Sequence, residues 1–306
     1  MRRLWHGRFW KRRWHASTGS IRRRRRKGLM SSKSFQYVRP DTVDEVVALL
    51  GAHGPAARLL AGGTDLLVRF RLGHVRPAIV IDLKRADGLS DRITEADSSL
   101  RVGARVVMAD LIADERIRRY FPALVEAARV VGSVQIRHRA TLAGNICNAS
   151  PAADTAPALL VYGAFVNVIG RTGARRVSVA DFFTGPGKTV LAADEMVAAI
   201  DLPIPRAPVG AAFGRLTRRR GVDLASLNVC CLVTPSGKTR IALGAVAPRP
   251  VLIQEDNSDA LLDRVMVQTS PISDVRASRE YRAAMLPVFI RRTLKIATDR
   301  LQRGPA

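Results

Sequence analysis

An α+β fold in two parts is predicted from three observations. Helix-like and strand-like segments alternate as far as about residue 205. Three prolines, Pro203, Pro205 and Pro208, then crowd six residues and mark a boundary. Beyond it, apolar runs of strand length precede one long amphipathic stretch.

Phe35 to Val38 reads as a short strand closed by Arg39-Pro40. Asp41 or Thr42 then caps a helix whose apolar face is Val43, Val46, Val47 and Leu50, ending near Gly54-Pro55. Ala57 to Ala61 is a brief strand that runs straight into Gly62-Gly63-Thr64-Asp65, and the apolar run resumes from Leu66. Ala78 to Leu83 and Leu100 to Val107 are buried strands. Met108 to Tyr120 and Pro122 to Val131 read as helices, followed by a long Gly/Asn/Ser loop. Thr155 to Leu160 is helical, Ala164 to Ile169 and Arg175 to Val179 form a hairpin, and Asp181 to Gly187 is a loop. Asp194 to Ile204 is a strand. In the second part Val222 to Val233 and Ile241 to Val246 are sheet strands, and Asp274 to Thr298 is helix broken near Pro287. No internal repeat is visible.

The formal net charge is +24. Half of it comes from residues 1–30, with twelve Lys or Arg and no Asp or Glu, and all three tryptophans fall in the first fourteen residues. Residues 1–29 are therefore expected to be a disordered basic extension outside the folded unit. A start codon assigned too early, with Met30 the true beginning, is the simplest account; a transit peptide and a nucleic-acid tail stay open. It is no secretion signal, because no apolar stretch follows the charges. No later segment is long and apolar enough to span a membrane. Cys147, Cys230 and Cys231 lack C-x-x-C spacing, so zinc or iron–sulfur ligation by this chain alone is not expected. The five scattered histidines make no metal site.

Two stretches carry chemistry. Leu60-Ala61-Gly62-Gly63-Thr64-Asp65-Leu66 and Thr141-Leu142-Ala143-Gly144-Asn145 are both rich in small residues flanked by hydroxyl, amide or carboxylate side chains. Loops of this composition aim backbone N–H groups at a phosphate. Two of them, about eighty residues apart, can clamp one diphosphate from both sides. Asp154 follows, a carboxylate suited to accept from sugar-like hydroxyls. The combination fits a dinucleotide with a diphosphate centre and a polyol arm. Neither stretch is a G-x-G-x-x-G or a P-loop pattern. No Ser/His/Asp or Cys/His arrangement stands out, and Arg218 to Arg220 read as solvated.

AGGTDLLVRFRLG, VGSVQIRHRATLAGNICNASPAADTAPALL, DFFTGPGKTVLAADEMV and RRRGVDLASLNV, in this order, resemble the FAD-binding medium subunit of the molybdenum hydroxylases, of the carbon monoxide dehydrogenase and xanthine dehydrogenase type. The resemblance covers about residues 34–250, and PISDVRASREYR resembles the family's C-terminal domain. It implies a two-lobed FAD-binding domain of the vanillyl-oxidase (PCMH-like) type over residues 30–205 and a small α/β domain over 206–306. On that basis Leu60 to Leu66 and Thr141 to Asn145 hold the FAD diphosphate. Gly132, Ser133, Val134, Gln135 and Ile136 lie beside the nucleotide, Asp154 binds ribityl or ribose hydroxyls, and Leu191 lies against the cofactor. Arg215 falls where relatives often place a lysine.

The implied function is electron transfer within a cytoplasmic heterotrimeric oxidoreductase. Molybdopterin belongs to a large partner subunit and iron–sulfur clusters to a small one. FAD here would pass electrons to NAD, oxygen or a quinone, with no catalytic residue of this chain acting on the substrate. A free-standing FAD oxidoreductase of the same fold, a nucleic-acid-binding protein acting through residues 1–29, and a flavin-free relic are the rival readings. Two departures from the family pattern stand out. Ala143 replaces a glycine, and the stretch from Pro250 to Pro271 looks shorter than in relatives.

Overall fold

The computed structural model describes residues 35–255 and 261–304. The expectations for residues 1–29, and part of the shortened stretch between Pro250 and Pro271, lie outside the described residues. Strand β1 (Gln36–Val38) leads through helix α1 (Val43–His53) to β2 (Ala57–Leu60), and short helix α2 (Leu66–Arg71) leads on to β3 (Ile79–Asp82). These strands form a parallel sheet in the order β1-β3-β2. Thr42, not Asp41, caps α1 by accepting from the Glu45 N–H, and the helix buries Val46, Val47 and Leu50 as its spacing predicts.

A second, antiparallel sheet has the order β4-β5-β10-β6-β7. Its strands are β4 (Ile93–Ala96), β5 (Ser99–Gly103), β6 (Phe165–Gly170), β7 (Gly173–Ser178) and β10 (Met196–Pro203). Between β5 and β6 run α3 (Met108–Ala113), α4 (Glu115–Tyr120), α5 (Pro122–Arg129), α6 (Val134–Arg137), α7 (Leu142–Cys147) and α8 (Thr155–Val161). After β7 come α9 (Val179–Phe182) and the small pair β8 (Phe183–Gly185) and β9 (Lys188–Thr189). One hydrophobic core joins both sheets to these helices, with Phe121, Leu124, Leu142 and Phe182 fully buried.

The second part is an antiparallel sheet of β11 (Gly210–Leu216), β12 (Leu227–Val233), β13 (Thr239–Gly244) and β14 (Val251–Glu255), in sequential order. Helices α10 (Leu261–Gln268) and α11 (Arg279–Arg303) follow. Both faces of this sheet are covered. Cys230, Leu232 and Ala242 join the first core, while Val229, Cys231 and Ile241 join a second core that includes Leu286, Ile290 and Ala297 of α11. A strand buried on both faces has no reason to alternate, so β12 reads as a continuous apolar run. Glu126 of α5 ties the parts together by accepting from the Phe213 N–H at 2.9 Å and pairing with Arg300 of α11.

Several expected boundaries give way. The stretch between Val131 and Thr155 is not one loop, because Ser133 and Thr141 cap the short helices α6 and α7. Asp114 splits the helix expected over Met108 to Tyr120 by accepting from the Arg116 and Ile117 N–H groups. Asp181 to Gly187 contains the end of α9 and all of β8. The strand expected from Val222 begins only at Leu227.

The largest correction is α11, which runs unbroken through Pro287. Proline forfeits one helical hydrogen bond and crowds the carbonyl four residues earlier. Packing on both sides of it outweighs that cost: Arg282 and Leu286 before it, and Ile290, Thr293 and Ala297 after it, are all buried. Arg282 is fully buried, donating to the Ser226 and Ala245 carbonyls at 2.7 and 2.8 Å and to Asp274 at 2.6 Å. Arg282→Ala removes three acceptors' partner at once and is expected to lower unfolding free energy by about 3 kcal/mol in urea titrations. Asp274 is held well below the usual carboxylate range, first by Arg276 and further by Arg282. A depressed folded-state pKa stabilises above the unfolded value of about 3.9 and is lost as pH falls below it, so acid unfolding of Arg282→Ala begins at higher pH than in the parent chain.

Candidate cofactor-binding cleft

β2 ends at Leu60, and the chain turns through Ala61 to Asp65 before α2 starts. Gly63 makes that turn at φ +76°, in the left-handed region that side chains rarely adopt. Gly62 is glycine for another reason. A Cβ there would lie 2.0 Å from the Arg139 carbonyl oxygen and 3.1 Å from the Ala140 Cα, so the two loops touch backbone to backbone. The N–H groups of Gly62, Gly63, Thr64 and Asp65 donate to nothing among the described residues. That leaves four adjacent donors available to an anion.

The second loop opens α7. Thr141 is 3 % exposed, and its Oγ1 accepts from the Gly144 N–H at 2.9 Å. This bond engages the Gly144 N–H and shapes the turn, and it leaves the Thr141 O–H as a donor. The Ala143 N–H has no acceptor among the described residues. Ala143 itself sits inside a right-handed helical turn and is not among the positive-φ residues. Its methyl is therefore accommodated without backbone strain. Asn145 Oδ1 accepts from the Thr155 hydroxyl at 2.6 Å, which leaves its NH₂ as a donor.

Both loops open on a cleft of about 750 Å³, within the range of sites that bury a cofactor. The run from Ala61 to Leu66 lines it, as do Thr141, Ala143, Gly144 and Asn145 of the second loop, with Gly132, Ile136, Asp154 and Leu191 completing the wall. Gly132 turns at φ +54°, where a Cβ would meet Ile136 Cγ2 at 2.6 Å. Leu60, Ser133, Val134, Gln135, Leu142 and Arg215 stay off the cleft surface. Ser133 caps α6 instead, Val134 is exposed, and Leu142 belongs to the core.

Asp154 is 8 % exposed. Its Oδ2 accepts from Arg215 Nη1 and its Oδ1 from Asn228 Nδ2, both at 3.0 Å. Burial pushes its carboxyl up, against the opposing pull of Asn228 and Arg215. Sequence reasoning missed Asn228 and Thr155. A lone asparagine inside an apolar strand, and a threonine ten residues after Asn145, were the available signals.

Free backbone donors, one side-chain amide and a buried carboxylate beside apolar Ile136 and Leu191 define a dinucleotide-binding domain. The glycine-lined backbone approach suits a diphosphate, and Asp154 suits hydroxyl donors. Residues 33–205 match the family model described as the FAD binding domain in molybdopterin dehydrogenase. The chain is 32 % identical to the xanthine dehydrogenase FAD-binding subunit of Escherichia coli O157:H7, over 85 % of this chain and 95 % of the relative. It is also 32 % identical to the carbon monoxide dehydrogenase medium chain of Hydrogenophaga pseudoflava, over 87 % and 98 %. A solved structure of carbon monoxide dehydrogenase from that organism superposes with a TM-score of 0.82 at 31 % identity, over 88 % of this chain and 99 % of the other. This chain belongs to the FAD-binding medium subunits of the molybdenum hydroxylase family, and its cofactor is FAD.

Gly62→Ala must part the two loops and is expected to weaken FAD binding at least tenfold, roughly 1.4 kcal/mol, in fluorescence titrations. Ala143→Gly is expected to change affinity by less than about threefold, since no strain is relieved. The opposite ranking would show that the helical turn, not the loop contact, limits binding.

Proposed function

We propose that this chain is the electron-transferring flavoprotein subunit of a molybdenum hydroxylase. It receives electrons from iron–sulfur clusters of a small partner subunit and passes them to NAD, oxygen or a quinone. Substrate is oxidised at molybdopterin in a large partner subunit. In this reading residues 30–205 are the FAD-binding domain and 206–306 the C-terminal domain. Membership in a family of dehydrogenase subunits supports an oxidoreductase role. The observation that carries the reading is that two glycine loops line one cleft, with the N–H groups of Gly62 to Asp65 and of Ala143 left without acceptors among the described residues.

Bound FAD supplies a carrier able to exchange electrons one or two at a time. The chain's own residues bind and orient it. The N–H groups from Gly62 to Asp65 take one side of the diphosphate, and the Ala143 N–H with the Asn145 amide takes the other. Asp154 accepts from ribityl or ribose hydroxyls, while Ile136 and Leu191 give apolar walls that keep water from the ring system. Cys230 and Cys231 are fully buried in β12 on opposite faces, where both thiols are pushed up by burial. They act as core side chains, so cluster ligands come from the partner.

The purified chain should show a two-band flavin spectrum after FAD addition, and Asn145→Ala should lower FAD affinity by about tenfold, the worth of one good hydrogen bond. Photoreduced protein should regain its oxidised spectrum with NAD, oxygen or a quinone. A chain that takes up no FAD would sink the assignment. One that binds FAD but is reoxidised by none of the three would remove the electron-transfer role.

A further inference from the structure

Arg215, Asn228 and Gly244 stand in one cross-strand row, directly opposite one another on β11, β12 and β13. The row faces the first part of the chain, where Asp154 precedes α8. Arg215 and Asn228 each donate to a different oxygen of Asp154, both at 3.0 Å. Gly244 makes the room, since a Cβ there would lie 2.2 Å from Asn228 Oδ1. Asn228 is fully buried, and its Oδ1 has no partner among the described residues. An amide in an apolar strand with an unpaired acceptor costs stability. What the position provides in return is the donor to Asp154.

We propose that Asn228 is a positioning residue for the cofactor: together with Arg215 it holds the Asp154 carboxylate ionised and fixed in the cleft wall to accept from the cofactor's hydroxyl groups. The proposal rests on the role given to Asp154 above. Neither Asn228 nor Arg215 lines the cleft, so both act through Asp154. An ionised carboxylate accepts only, and more strongly than a neutral one. Burial opposes the ionised form, and the two donors counter it. From β11 the charged group facing Asp154 is Arg215, and from β12 Asn228 is neutral. On the β11–β12 loop Asp223 is paired with Arg218 at 3.0 Å, and it shares the cleft lining with Arg219, with Arg58 of β2, Asp65 of the first loop and Arg69 of α2, and with Glu195, which is paired with Arg175 at 2.6 Å.

FAD affinity should therefore fall as pH drops through the Asp154 pKa. Removing a donor raises that pKa further, so the loss sets in at higher pH. The test is FAD affinity of the full chain by fluorescence titration from pH 5.5 to pH 8, for the parent, Asn228→Ala, Asp154→Asn and the double variant. Asn228→Ala should weaken binding most, about tenfold, near the acid end and converge on the parent at the alkaline end. It should add nothing to Asp154→Asn. Arg215→Gln, at the less buried end of the row, carries the same expectation if Asn228→Ala does not fold. A loss equal at every pH, or equal in the Asp154→Asn background, would overturn the proposal and leave Asn228 a packing residue. Unchanged affinity in Asp154→Asn would instead overturn the role of Asp154 itself, and the proposal with it.

Discussion

The contact of Gly62 with the carbonyl of Arg139 is the constraint on which the site depends. It joins two loops from different parts of the fold at a separation no side chain permits. Because that contact is made by backbone, it fixes the spacing of the two sets of N–H donors without rotamer freedom. The parallel sheet presents one loop from the end of β2, and the Thr141 cap presents the other at the start of α7. Each element thus delivers donors already ordered, so little conformational entropy remains to be lost on binding.

Around that contact the fold divides its polar groups economically. Hydroxyls at Thr141 and Thr155 serve the chain itself: one shapes a turn and the other engages the Asn145 amide oxygen. The sheet of the chain's C-terminal part serves both cores, and through Arg215 and Asn228 it also reaches the cleft wall. The partition into a cofactor domain and an appended domain is therefore one of sequence more than of physics. The apolar contacts and the Glu126 bridge run across it.

Much of this was legible in the sequence for identifiable reasons. Val46, Val47 and Leu50 announce a helix face because that surface has one neighbour and one period. Glycines at 62 and 63 announce close approach because side chains cannot follow there. What sequence could not give was competition between local groups. The Gly144 N–H looks like a ligand donor until the Thr141 cap that accepts from it is seen. Pro287 looks like a break, and only the burial of Arg282, Leu286, Ile290 and Ala297 around it explains why the helix continues. Asn228 stood in a recognised stretch, yet its partner lies 74 residues earlier, a distance across which sequence pattern carries no geometry.

That separation has a consequence for how the protein comes into being on the ribosome. Synthesis runs from the N-terminus, so both glycine loops emerge well before β11 and β12. The last turns of α11, which carry Arg300 to its partner Glu126, emerge later still. The wall that Arg215 and Asn228 support is therefore assembled only after the loops that line the cleft with it have been made.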